Sequence, residues 1–318
     1  MLPRLLTSAL LFSFVAFASA VPNIRILIEG DDYCNDQSIL RIRQMIKEAK
    51  TLAQSAIDTL YRPNVEKSSG FVALFGPNAN PKDIADKHFA PVNILPDSPA
   101  FVVTVKRLTE NDLTFTCPPY GDPKDNKARM STRNWVDGDG HDQRNNLIRI
   151  FPNSFEYDVP DSKGSHKVDT LPLQKAVEAA IAKTWFDEKA VPMAFTLVHE
   201  VQHADVIIGA ENHCLDVAFI DDKGKTVKAY GLQQIQKKIT NEEKVKNAQN
   251  YAWFAFLTLA QPELFTDDCQ GNPGPIPHAA GLQEPLLVQD GIAPRAAEDT
   301  CKYIHGDFLN IVDTDGEF

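Results

Sequence analysis

Two histidines four residues apart, with a glutamate beside the first, make His199-Glu200-Val201-Gln202-His203 the stretch of this chain best suited to chemistry. On a helix, positions four apart share a face, so both imidazoles can reach one metal ion. Glu200 is turned about 100° from His199. From there its carboxylate can meet a water on the metal without binding the metal itself. Zinc lowers the pKa of such a water to about 7, and a carboxylate can take its proton as it attacks a carbonyl. The pattern H-E-x-x-H thus reads as the metal helix of a zinc hydrolase. The competing reading is a buried helix whose histidines only hydrogen-bond. Two histidines and a glutamate at this spacing favour the metal.

A catalytic zinc takes three protein ligands and leaves the fourth position to water. The extended pattern H-E-x-x-H-x-x-G-x-x-H is absent, because Val206 and Gly209 stand where its glycine and third histidine would be. The carboxylates downstream are Asp205, Glu211, Asp216, Asp221 and Asp222. Asp205 lies two residues past His203 on the same helix and points elsewhere. Glu211 falls just past the helix end. His213 reads as a surface residue, with zinc contact the lesser alternative. Cys214 reads as buried or paired before it reads as a ligand.

Several elements must position these groups. Pro192 suits a first helical turn, Phe195, Leu197, Val198, Val201, Ile207 and Ile208 supply a buried face, and Gly209 is a natural stop. Upstream, residues 24–28 read as a strand. From Asp36 to Tyr61, Ile39, Ile42, Ile46, Ala49, Ala53, Ala56 and Leu60 form one apolar helical stripe, ended by Pro63. Residues 64–98 read as loop-rich, with turn chemistry at Gly76-Pro77-Asn78. Residues 101–105 and 113–117 look like two strands of a hairpin or meander, and 147–151 like another strand. Residues 118–146 are polar. The Asp137-Gly138-Asp139-Gly140 run there lacks the other acidic positions of a calcium loop and reads as a turn. A helix is expected from Pro172 to about Phe186, capped by Asp169 or Thr170. Residues 217–220 and 226–230 flank Asp221-Asp222-Lys223-Gly224 as a small hairpin. A last helix opens with the capping box Thr240 to Glu243 and stops before Pro262.

The chain's 318 residues are 43% hydrophobic, enough for a sizeable core. Arg4, the apolar run 5–17 and Ala18-Ser19-Ala20 read as a signal peptide cleaved after Ala20. No other stretch approaches about 18 apolar residues, so no membrane span is expected. The net charge of −11 and the lack of a basic stripe argue against nucleic acid or an anionic membrane as partner. Five cysteines in a secreted chain fit two disulfides and one leftover thiol. The expected organisation is a signal peptide (1–20), a catalytic domain (21–261) and a Pro/Gly-rich irregular extension (262–318).

The chain resembles the deuterolysin, or aspzincin, family of fungal secreted metallopeptidases. Matching pieces come in order: Cys34 before a long helix, Phe75-Gly76, Phe115-Thr116-Cys117, residues 196–203 around the motif, Ala229-Tyr230-Gly231, and Asn247-Ala248-Gln249-Asn250-Tyr251 with the residues up to Ala255. The resemblance covers roughly residues 24–260 in outline. It implies an α+β zincin-like fold, mostly helical with a small, mainly antiparallel sheet. It also implies an aspartate as third ligand and a tyrosine, Tyr230, as phenol donor to the oxyanion. In the family that aspartate stands three residues before the tyrosine; here Val227 does. An inserted hairpin would move it upstream, to Asp216 first, then Asp222 or Asp221. Gln249 stands where relatives often carry aspartate, and can support the site only through uncharged hydrogen bonds. By the same outline Cys34 pairs with Cys117; Cys269 with Cys301 would follow, leaving Cys214 free.

The expectation is a secreted, monomeric zinc metalloendopeptidase acting on proteins or peptides. His199, His203 and Asp216 hold one Zn²⁺, Glu200 is the base and Tyr230 stabilises the oxyanion. The alternatives are a secreted zinc-binding protein or antigen of the same fold with little or no peptidase activity, and a structural protein with a chance motif. Zinc content and chelator-sensitive cleavage of casein, measured on one sample, discriminate among the three.

Overall fold

A strand, β1 (Asn23–Leu27), leads into the long helix α1 (Asp36–Leu60) in the computed structural model, which describes residues 22–119, 128–135, 145–161, 164–182 and 191–266. The expected signal peptide, the 137–140 run, Cys269 and Cys301 lie outside these residues. The Asn35 side chain accepts from the Ser38 amide at 2.8 Å and starts α1. Its whole expected apolar stripe is buried. Alanines at 49, 53 and 56 leave room for other helices to approach.

Residues 64–98 are not loop-rich. They hold a 3₁₀ turn (Val65–Lys67), α2 (Ser69–Phe75), α3 (Pro81–Ile84) and unbroken helical turns from Ala85 to Ile94. Each piece is too short to show a period, but α2 and α3 are both capped. Ser68 Oγ accepts from the Phe71 amide, and Asn80 Oδ1 from the Lys82 amide. Gly76 ends α2 at φ 81°, where an added Cβ would meet Asn241 at 2.8 Å.

Next come β2 (Ala100–Val102), β3 (Asp112–Thr116), β4 (Met130–Arg133) and β5 (Asn146–Ile150). Together with β1 they form one sheet in the order β2-β1-β3-β5-β4. The expected pairing of 101–105 with 113–117 is overturned. β1 lies between β2 and β3 and is parallel to both. A 3₁₀ turn at Val105–Arg107 sits in the connection that crosses β1. β3 and β5 are also parallel, and only β4 runs antiparallel, so this sheet is not mainly antiparallel. The α1 crossover makes the parallel pairing possible. Two antiparallel ribbons stand apart: β6 (Glu156–Asp161) with β7 (Gly164–Asp169), and β8 (Ala218–Ile220) with β9 (Thr226–Lys228). The last is the expected hairpin.

Helix α4 (Leu173–Ile181) starts after Pro172 without a side-chain cap. Thr170 donates to Ser154 O instead, and Asp169 pairs with Arg41. α5 (Met193–Val201) carries the motif, and α6 (Asp205–Ile208) follows it. After β9 come α7 (Leu232–Lys237), α8 (Asn241–Lys244) and α9 (Ala248–Ala260). The expected single helix from Thr240 is split. Leu215 pairs with the backbone beside Asn247, taking the Lys246 carbonyl and the Ala248 amide. Those groups are then lost to a continuous helix.

α1, α5 and α9 pack on one another and form the centre of the core. α9 is buried almost all round. Trp253, Tyr251, Phe254 and Phe256 are each at most 1% exposed. Full burial of one such apolar side chain contributes roughly 1.5–3 kcal/mol. The extension is described only to Thr266, and its first residues, Pro262–Phe265, form a 3₁₀ turn with Leu264 and Phe265 in the core. Cys34 and Cys117 are disulfide-bonded, tying the start of α1 to the end of β3. Among the described residues no helix is long and apolar enough to cross a membrane. Helices on a small mixed sheet make this an α+β architecture.

Candidate metal centre

Helix α5 ends earlier than expected. It stops at Val201, with Gln202 as its cap, and Gly209 closes the separate α6. Side chains from elsewhere satisfy the break. Asn134, just past β4, donates to His203 O at 2.8 Å and accepts from the Asp205 amide at 3.0 Å. Gln202 O accepts the Cys214 amide at 2.9 Å. The buried Gln202 side chain bonds His88 at both ends of its amide. His203 therefore sits in a turn yet still shares a face with His199.

Three ligand-type atoms converge here. His199 Nε2 and His203 Nε2 are 3.2 Å apart, and Asp216 Oδ1 lies 3.1 and 3.3 Å from them. Tetrahedral zinc with bonds of about 2.0–2.2 Å needs ligand atoms roughly 3.3–3.6 Å apart, close to this triangle. His203 Nδ1 lies 2.8 Å from Cys214 O. A carbonyl only accepts, so Nδ1 carries the hydrogen and Nε2 is left with its lone pair. Asp216 Oδ1 is buried without a hydrogen bond of good geometry, as is His199 Nδ1. The His203 lone pair and the Asp216 carboxylate oxygen this close repel unless a cation, a proton or a metal, lies between them. The group His199, His203 and Asp216 can hold a divalent metal ion.

The electrostatics agree. Burial alone would raise the Asp216 pKa, but the two imidazoles and the Lys228 ammonium outweigh it and hold it far below the usual carboxylate range. Lys228 Nζ sits 2.7 Å from Asp216 Oδ2, so the two carboxylate oxygens have separate partners. Asp221 instead builds the hairpin turn, accepting from the Lys223 and Lys225 amides, and Asp222 is exposed.

Glu200 is buried beside the triangle. Its Oε2 accepts from the Thr132 hydroxyl at 2.7 Å. Thr132 belongs to β4, inside the stretch read as a polar segment. Tyr230 stacks edge-on to His199, with ring centroids 5.8 Å apart. Its carbonyl accepts from the Trp253 indole at 2.8 Å. Burial, then the Asp216 carboxylate, raise the Tyr230 pKa, so the phenol keeps its proton. These groups line a cleft of about 640 Å³ with Phe195, Gln249 and Leu215.

The Asp216 and Tyr230 segments are held by buried amides. Asn247 accepts from the Val217 amide at 3.2 Å and donates to Ala229 O at 3.0 Å. It also meets Asn250, which donates to Leu74 O. The amide support thus comes from Asn247 and Asn250, while Gln249 lines the cleft. Cys214 is a free, buried thiol whose pKa burial raises to about 12. His213 is no triangle member; it bonds Asp205 at 2.6 Å.

Thr132, Asn134 and Lys228 went unread in the sequence because each is an ordinary polar residue that matters only through a contact distant along the chain. Comparisons with protein-family models and with curated proteins found no match to this chain.

Proposed function

We propose that the chain is a secreted zinc-dependent endopeptidase. The observation that carries the reading is a buried carboxylate, Glu200, oriented by Thr132 beside a triangle of two imidazoles and a carboxylate. Mere metal capture has no use for such a base. His199, His203 and Asp216 would hold the metal. A bound zinc ion would supply Lewis acidity, acidifying water and polarising the scissile carbonyl. Glu200 takes the proton of the attacking water and passes it to the leaving amine. Thr132 fixes the carboxylate oxygen that it bonds. Tyr230 stays protonated and donates to the developing oxyanion. Among the described residues β4 is the sheet's edge strand, and it lines the cleft, so an extended peptide can join it as a further strand.

The Cys34–Cys117 disulfide and the signal-type N-terminus support secretion. The deuterolysin resemblance supports the same reading. Its aspartate–tyrosine spacing is stretched here by the β8–β9 hairpin, which stands between Asp216 and Tyr230.

The test is casein cleavage by the wild type and by Glu200→Gln, with zinc measured on each sample. The variant should lose activity by about 10²–10⁴-fold while keeping one zinc per chain. Full activity in the variant would sink the mechanism. Zinc in the wild type with no cleavage of any protein would favour a binding protein.

A further inference from the structure

His213 and Asp205 form a pair that the proposed chemistry does not use. His213 Nδ1 lies 2.6 Å from Asp205 Oδ1, and both side chains are about one third exposed. The carboxylate accepts, so Nδ1 carries the hydrogen and Nε2 is the free face of the ring. Nε2 makes no bond among the described residues. His213 lines the same cleft as Glu200 and Tyr230. Its ring centroid is 6.0 Å from that of His203, while Tyr230 lies 5.8 Å from His199. The two side chains thus flank the metal triangle at different histidines.

We propose that His213 is a substrate-binding residue, its Nε2 accepting a backbone N–H of the bound peptide on the His203 side of the scissile bond. Asp205 is its positioning residue. The inference rests on the peptidase reading above. The chemistry follows from the pair itself. A carboxylate on Nδ1 fixes the tautomer and makes Nε2 a better acceptor, and the donor a peptide offers is its amide. The placement is rigid. Asp205 opens α6, where Asn134 holds its amide, and His213 directly precedes Cys214, whose carbonyl fixes His203. A contact away from the reacting atoms stabilises ground state and transition state alike, so its loss raises KM and spares kcat.

The experiment uses the full chain loaded with zinc and an internally quenched peptide that the wild type cleaves. His213→Ala should raise KM about five- to tenfold, the worth of one hydrogen bond, with kcat and zinc content unchanged. His213→Gln should recover part of the loss, because its amide oxygen still accepts, and it keeps the test open if the alanine variant folds poorly. Asp205→Asn should raise KM less, and the double variant no more than His213→Ala alone. An unchanged KM per folded molecule in both His213 variants would show that the pair only pins the turn before Cys214, and would overturn the inference. A fall in zinc content would overturn it too, by assigning His213 to the metal. A wild type that binds zinc but cleaves nothing removes the peptidase reading and this inference together, whereas an active wild type with an unchanged KM in the variants removes this inference alone.

Discussion

The two halves of the candidate metal centre are built in different ways. His199, Glu200 and His203 come from one short helix and the turn after it, so 3.6-residue geometry brings them together. Asp216 and Tyr230 come from an irregular stretch interrupted by the β8–β9 hairpin. No local period places them. Long-range polar contacts do: Asn247 to the backbone at Val217 and Ala229, Leu215 to the backbone beside Asn247, and Trp253 to Tyr230 O. The helical half is therefore placed mainly by local geometry and trimmed by Thr132 and Asn134, whereas the irregular half depends on a few buried amides.

The largest effect that sharpens this contrast is on Tyr230. Tyr230→Phe should lower kcat by about 10²–10³-fold, the scale of one lost oxyanion donor, with zinc content unchanged. Steady-state kinetics on the zinc-loaded protein decide it, and an unaltered kcat would remove Tyr230 from the chemistry. Next is Asn247→Leu. It strands the Val217 amide and the Ala229 carbonyl at a cost of about 1–3 kcal/mol each, and loosens Asp216. Denaturant melts should show the lost stability, and chelator competition a weaker metal. If zinc affinity holds while stability falls, the irregular half does not depend on that amide for its ligand. Smallest is Lys228→Met. It frees Asp216 Oδ2, and zinc affinity should drop about tenfold, the low end for a residue that orients a ligand. Lys228→Arg should restore most of it; equal affinity in the methionine variant would make the 2.7 Å contact incidental.

The same contrast explains what the sequence could show. The stripe of α1 is a periodic signal within one helix, and the histidine spacing still puts both imidazoles on one face although His203 lies in the turn after α5. The order of the sheet is not such a signal. Residues 101–105 and 113–117 looked like hairpin partners because they are neighbours along the chain, yet β1 lies between the strands formed there and pairs with both. The end of α5 was also hidden. Gly209 is a strong stop, but the helix breaks at Gln202, where Asn134, just past the distant strand β4, satisfies the exposed backbone. Asp216 could be put first among several carboxylates only through the family resemblance, since no local period singles it out. Its partner Lys228 could not be named at all, since a strand lysine looks alike whether it faces solvent or a ligand.

In the proposed reading the two halves share one metal ion. Zinc titration with X-ray absorption at the zinc edge tests it most directly, comparing the wild type with Asp216→Ala. One zinc per wild-type chain is expected, bound by two imidazoles and a carboxylate oxygen, with loss of the carboxylate and much weaker binding in the variant. No stoichiometric zinc in the wild type, or an identical zinc spectrum and affinity in Asp216→Ala, would contradict it.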